Sequence, residues 1–146
     1  MAKQLQDAYV VAATRSPIGK APRGMFKNTR PDDLLVATIA RAVAQVPNLD
    51  PALIEDAIIG CAMPEGEQGL NVARIAVLLA GLPNTVGGVT INRFCASGIT
   101  AVAMAADRIR VGEADVMIAG GTESMSMVPM GGAKPSFNPQ IGRAHV

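Results

Sequence analysis

Four short runs along the chain are apolar at nearly every position: Tyr9–Ala13, Ala57–Ala62, Val86–Asn92 and Asp115–Ala119. None alternates polar with apolar residues, so none reads as a strand with one wet face. Continuously apolar strands fit a parallel sheet covered on both sides. Helix-length segments separate them. In Pro31–Val46 the residues Leu35, Ile39, Ala42, Val43 and Val46 recur at helical spacing, Pro31 suits the first turn, and Asp32 and Asp33 complement the positive helix start. A second helix is expected over about Leu70–Ala80, stopped by Gly81 with Pro83 beyond. The third runs from near Cys95 to Val111 with Gly112 as its cap. Its most apolar stripe is Ile99, Val102, Ala103, Ala106 and Ile109, and alanines broaden that stripe almost all round, which predicts a buried helix. The sum is an α/β layered fold, β-α-β-α-β-α-β, with a mostly parallel sheet and right-handed crossovers. No internal repeat interrupts it. The stretch GTESMSMVPMGGAKPSFNPQ, rich in Gly, Ser, Pro and Met, reads as the start of a loop-rich insertion.

Composition narrows the function. The 146 residues suffice for one domain with a core, and small aliphatic residues dominate while aromatics make up 3%. A net charge of +1 leaves no footprint for nucleic acid or an anionic membrane surface. Cys61 and Cys95 form neither a disulfide framework nor a metal-ligand spacing, so a reducing cytoplasmic compartment and no metal are expected. The N-terminus lacks an apolar stretch of signal-peptide length and carries Asp7, and no apolar run reaches the roughly 18 residues a membrane span requires. A soluble protein is expected.

Cys95 stands where chemistry is possible. A thiol at a strand-to-helix turn faces the positive end of the helix and its free N–H groups, which favour thiolate over thiol. The same N–H groups can bind an oxyanion formed when sulfur attacks a carbonyl. Ala96, Ser97 and Gly98 keep the first turn slim, so a substrate can approach. That suits acyl transfer through a covalent intermediate. Packing of a small apolar residue accounts for a cysteine there equally well. Cys61, inside AIIGCAMP, reads as packing.

Other polar groups have plain explanations. Glu123 and Ser124 follow a strand end, where α/β sheets place ligands, yet loop polar residues there are more often structural. Gly87, Gly88 and the GEQG of 66–69 are not a dinucleotide fingerprint, and Gly19–Lys20 lacks the upstream glycine of a phosphate loop. Met125, Met127 and Met130 can line an acyl tunnel or fill gaps. Arg108 and Arg110 suit a helix C-terminus.

The segment INRFCASGITAVAMAADRI, residues 91–109, resembles the acyl-enzyme signature of the thiolases. In order along the chain, VVAATRSPIGK resembles their opening strand and turn, GLNVARIAVLLAGLP their second helix, and ADVMIAGGTESMS their fourth strand and following loop. The likeness is strongest to the bacterial degradative 3-ketoacyl-CoA branch that serves fatty-acid β-oxidation. The resemblance implies that Cys95 is the nucleophile, that coenzyme A is a substrate with no tightly bound cofactor, and that the protein is a homodimer or homotetramer, with a β-oxidation multienzyme partner possible. It further implies a first α/β half at 1–121 and the start of an inserted loop domain at 122–140. The histidine, second cysteine and asparagine-bearing motif of the family belong to a later half and are absent from these residues, as is the rest of the loop domain that makes most coenzyme A contacts. An inactive fragment of the parent enzyme is therefore expected. A ketoacyl-synthase-like condensing enzyme using the same cysteine, and a non-catalytic acyl-binding half-domain, are the alternatives.

The tail of 141–146, IGRAHV, is expected to be non-native. The codons ATC-GGA-AGA-GCA-CAC-GTC would encode it, and that string matches read-through into a common sequencing adapter. On this reading the native frame departs after about Gln140, and His145, which fits no thiolase motif, has no catalytic role.

Overall fold

The computed structural model describes residues 5–141. Helix α1 spans Pro31–Val43, with Pro31 in its first turn beside Asp32 and Asp33. It stops short of the expected Val46 because Pro47 bars helical backbone in the residue before it. The Arg30 guanidinium grips the Asp32 carboxylate at 2.8 and 3.0 Å. That hydrogen bond holds the acid below the usual carboxylate range although Asp32 is buried. Strand β1 is Asp56–Gly60, α2 is Val72–Leu79, β2 is Val89–Ile91, α3 is Ser97–Arg110 and β3 is Met117–Gly121. The Asn71 side chain caps α2 by accepting from the Arg74 N–H at 3.2 Å. Gly81 and Gly112 follow α2 and α3 in the left-handed region at φ +73°, as their positions in the sequence predict.

The sheet is parallel, ordered β2-β1-β3, with Ile58 opposite both Val89 and Ala119. The central strand divides its side chains between two layers. Ala57 and Ile59, with Cys61 just beyond, join Leu35, Ile39, Val72, Ala76 and Val77 of α1 and α2 in the larger core. Ile58 points the other way, onto Ala101 and Ala105 of α3. A strand wet on neither face has no reason to alternate, which explains the continuous apolar run.

Two expectations fail. The predicted strand Tyr9–Ala13 does not form, so three strands and not four are present among the described residues. Tyr9, Val10 and Val11 are 76%, 79% and 76% exposed. The segment is tethered through the Gln45 side chain, which bonds both the N–H and the carbonyl of Ala13. Strand preference measures fit to a pleated, half-buried surface, and this exposed segment joins none of the three strands.

The third helix is also not buried all round. Ser97, Ala101 and Ala105 face the sheet, while Ile99 is 70% exposed and Val102 and Met104 are exposed beside it. Its larger aliphatic stripe points away from the strands because only small residues allow the close approach on the sheet side. A Cβ added at Gly60 would stand 2.5 Å from the Ser97 carbonyl carbon and 2.7 Å from the Gly98 nitrogen. The helix start therefore rests almost directly on the end of the central strand.

Candidate functional site

All three strands point the same way, so the segments leaving their carboxyl ends converge. Ala62 and Met63 follow β1, Phe94 and Cys95 follow β2, and Thr122 and Glu123 follow β3. Between them opens a cavity of about 440 Å³, whose wall also includes Gly60, Ser97, Gly98, Met125 and Met130. Cys95 is exposed at this cavity. The lining is mostly apolar, with Phe94 and three methionines to receive an aliphatic chain. Of the methionines weighed from sequence, Met125 and Met130 reach it and Met127 does not, while Met63 joins them.

The turn that presents Cys95 is held tightly. Phe94 takes a left-handed conformation, φ +46°, rare for a residue with a side chain. The Asn92 Oδ1 accepts from the Phe94 N–H at 2.8 Å, and the Asn92 Nδ2 donates to the Ala62 carbonyl at 2.9 Å. From the helix side, buried Ser97 donates its hydroxyl to the Phe94 carbonyl at 2.6 Å and accepts from the Arg93 N–H at 2.8 Å. The N–H groups of Ala96 and Ser97 donate to the carbonyls of Arg93 and Phe94, both at 3.0 Å. Two of the donors expected to be free at the helix start are thus already engaged.

Glu123 joins the strand ends. One carboxylate oxygen accepts from the Ala62 N–H at 2.6 Å, and the other accepts from the Gln68 side-chain amide. Gln68 is completely buried and also donates to the Met63 carbonyl, while its own oxygen accepts from the Ser124 N–H. Thr122 donates to the Pro31 carbonyl at 2.8 Å, tying the start of α1 to the end of β3. The structural reading of Glu123 from sequence agrees with these bonds, and it also lines the cavity. Gln68 and Asn92 carried no functional weight in the sequence, because nothing local marks a side chain whose partners lie up to 56 residues away. Ser97 counts there only as keeping the first turn slim, and its bonds are to the turn itself.

Cys61 faces the large core, 1% exposed, with its thiol 4.0 Å from Glu123. Burial, with the Glu123 charge adding to it, pushes the thiol up to about 12. No cluster of metal-ligating side chains occurs among the described residues, and no helix there is long and apolar enough to cross a membrane. His145 and the rest of 142–146 lie outside the described residues, as do residues 1–4.

The family model for the thiolase N-terminal domain matches residues 8–145. The chain belongs to the thiolase family. Over 132 residues it is 48% identical to a 3-ketoacyl-CoA thiolase of Bacillus subtilis (strain 168), covering 88% of this chain and 32% of that protein. It is 44% identical to the 3-oxoadipyl-CoA/3-oxo-5,6-dehydrosuberyl-CoA thiolase of Escherichia coli (strain K12), covering 93% of this chain and 34% of that one. The solved acetyl-CoA acetyltransferase of Bacillus anthracis superposes with a TM-score of 0.81 at 34% identity, over 94% of this chain and 36% of its own. The Acat5 thiolase from Ascaris suum, solved in complex with coenzyme A, gives 0.77 at 30% identity, over 88% and 35%. The chain thus spans about a third of the length of these relatives. Both solved thiolases share its layered α/β arrangement.

Proposed function

We propose that this segment is the nucleophile-bearing half of an acyltransferase that cleaves 3-ketoacyl-CoA by thiolysis, with Cys95 as the nucleophile. The observation that carries the reading is the placement of exposed Cys95 at an apolar cavity on the carboxyl ends of parallel strands, within a chain matched to thiolases. The Cys95 thiolate attacks the keto carbon, the bond between that carbon and the α-carbon breaks, and the α-carbon takes a proton to leave as acetyl-CoA. The shortened acyl group remains as a thioester on Sγ. Coenzyme A attacks this thioester, its own thiol proton is lost, and acyl-CoA departs as the Cys95 thiolate re-forms. Phe94, Met63, Met125 and Met130 give the acyl chain an apolar bed. A degradative role in β-oxidation, a cytoplasmic site and a homodimer or homotetramer complete the proposal, as does a division at 121–122 between the α/β half and an inserted loop domain.

Alone, the 146-residue chain is expected to show no thiolysis above background, because general acid and base steps typically contribute about 10² to 10⁴-fold each and the family's groups for them lie in a later half. Thiolysis of acetoacetyl-CoA that disappears in Cys95→Ser would contradict this. The main test uses a polypeptide extended to the length of the relatives, incubated with 3-ketoacyl-CoA and quenched in acid. Mass spectrometry should find the acyl adduct on the Cys95 peptide, absent in Cys95→Ala and retained in Cys61→Ala. An adduct on Cys61, or full turnover in Cys95→Ala, overturns the proposal.

A further inference from the structure

The geometry points to Asn92 as the positioning residue of the Cys95 nucleophile, through a chain of hydrogen bonds that begins at Glu123 and Gln68. This rests on the acyl-transfer reading of Cys95. The Glu123 carboxylate accepts from the Ala62 N–H at 2.6 Å, so one side of the Ala62 peptide segment is fixed. The Ala62 carbonyl accepts from the Asn92 Nδ2 at 2.9 Å, and the Asn92 Oδ1 accepts from the Phe94 N–H at 2.8 Å. Both ends of the Asn92 amide are thus used, one on the loop after β1 and one on the residue before Cys95. Gln68, fully buried, fixes the far end by bonding Glu123, the Met63 carbonyl and the Ser124 N–H together.

The target of this chain is the least relaxed backbone at the site. Phe94 holds φ +46°, a conformation that surrounding bonds must impose. Ser97 grips its carbonyl from within the helix, and Asn92 grips its N–H from the strand side. Ser97 is local to the turn. Asn92 alone of the two reaches the other wall of the cavity, so it sets where the sulfur sits relative to Ala62 and Met63, which line the same cavity. A side chain with both a donor and an acceptor is required: aspartate keeps the bond from the Phe94 N–H but opposes a carboxylate to the Ala62 carbonyl, and alanine removes both bonds.

Two readouts on the same variants separate this proposal from the one it rests on. The first is labelling of Cys95 by iodoacetamide in the 146-residue chain, which needs no acyl chemistry. The second is transfer from acetyl-CoA in the extended polypeptide. There the acyl carbon leaves the coenzyme A sulfur for Sγ, and the Cys95 thiol proton leaves with coenzyme A. Asn92→Ala should slow acetyl transfer by about 10² because a misplacement near 1 Å costs that much, and should slow alkylation less. Asn92→Asp should be pH-sensitive in a way Asn92→Ala is not. Protonated at low pH, its carboxyl can donate to the Ala62 carbonyl; ionised, it cannot. The N92D to N92A rate ratio should therefore fall as pH rises from about 4 to 7, across the carboxyl range. Glu123 on Ala62 and Arg93 beside residue 92 are the charged groups that face this position, and both are present in each variant.

Buried Cys61 reports misfolding, since an unfolded chain labels both thiols. A flat N92D to N92A ratio in both readouts, or wild-type rates in N92A, overturns the positioning role whatever happens to acyl transfer. Equal labelling of Cys61 and Cys95 in N92D at every pH also overturns it, because Asn92 would then serve folding alone. Wild-type protein that refuses acetyl-CoA while the alkylation ratio falls with pH overturns the acyltransferase reading and leaves the positioning role standing.

Discussion

The two cysteines lie at the ends of neighbouring strands, yet their surroundings are opposite. Cys61 follows β1 and turns into the larger core, among side chains of α1 and α2. Cys95 follows β2 and, after one left-handed residue, faces an open apolar cavity. Cys61 lies in AIIGCAMP and Cys95 in NRFCASG, each with small residues beside it, so the size of the neighbours does not separate them. Direction does. A strand continues its pleat into Cys61, whereas the Asn92–Phe94–Ser97 turn breaks the pleat and brings Cys95 out.

That contrast makes its largest prediction in thiol reactivity. A thiol pushed up to about 12 is ionised to roughly one part in 10⁴ at pH 8. Cys95 should therefore be alkylated at least about 10³ times faster than Cys61 in the folded chain. Peptide mapping after timed alkylation measures the ratio, and comparable rates would dissolve the distinction.

Gly60→Val attacks the geometry that keeps the two surroundings apart. Its Cβ would collide with the backbone of Ser97 and Gly98, so α3 must lift off the strand end. A loss of about 3 kcal/mol is expected, as for severe overpacking, with faster labelling of Cys61. Denaturant unfolding of the variant checks it; a loss below 1 kcal/mol would mean that the helix start has room to move.

Removal of each sulfur should be unequal and smaller. Cys61→Ala, in a fully packed site, should cost about 1 kcal/mol, and Cys95→Ala about 0.5 kcal/mol or less. Equal losses in thermal or chemical unfolding would show that Cys95 packs as Cys61 does.

The smallest effect is in pH. Because folding raises the Cys61 thiol, its neutral form belongs to the folded state. The stability it contributes is complete below the unfolded thiol value of about 8.5 and is lost as pH rises towards about 12. Stability should fall across that alkaline window, and Cys61→Ala should flatten the fall. An unchanged slope in the variant would assign the alkaline loss to other groups.

What the sequence determined by itself is what short-range chemistry governs. Continuous apolar runs marked three parallel strands, Pro31 and the glycines at 81 and 112 marked helix ends, and the ordered motifs around Cys95 marked the thiolase family. What only tertiary structure decided is what depends on partners distant in the chain. Tyr9–Ala13 has the composition of a strand, but a strand exists only by pairing with another, and this segment pairs with none of the three strands. The third helix carries apolar residues all round, yet close contact with Gly60 selected its small face for the sheet and left Ile99 and Val102 outside. Gln68, Asn92 and Glu123 are ordinary polar residues until folding brings three strand ends together. The hydrogen bonds by which they join the strand ends span about 30 to 60 residues of sequence, and no local pattern records a bond of that length.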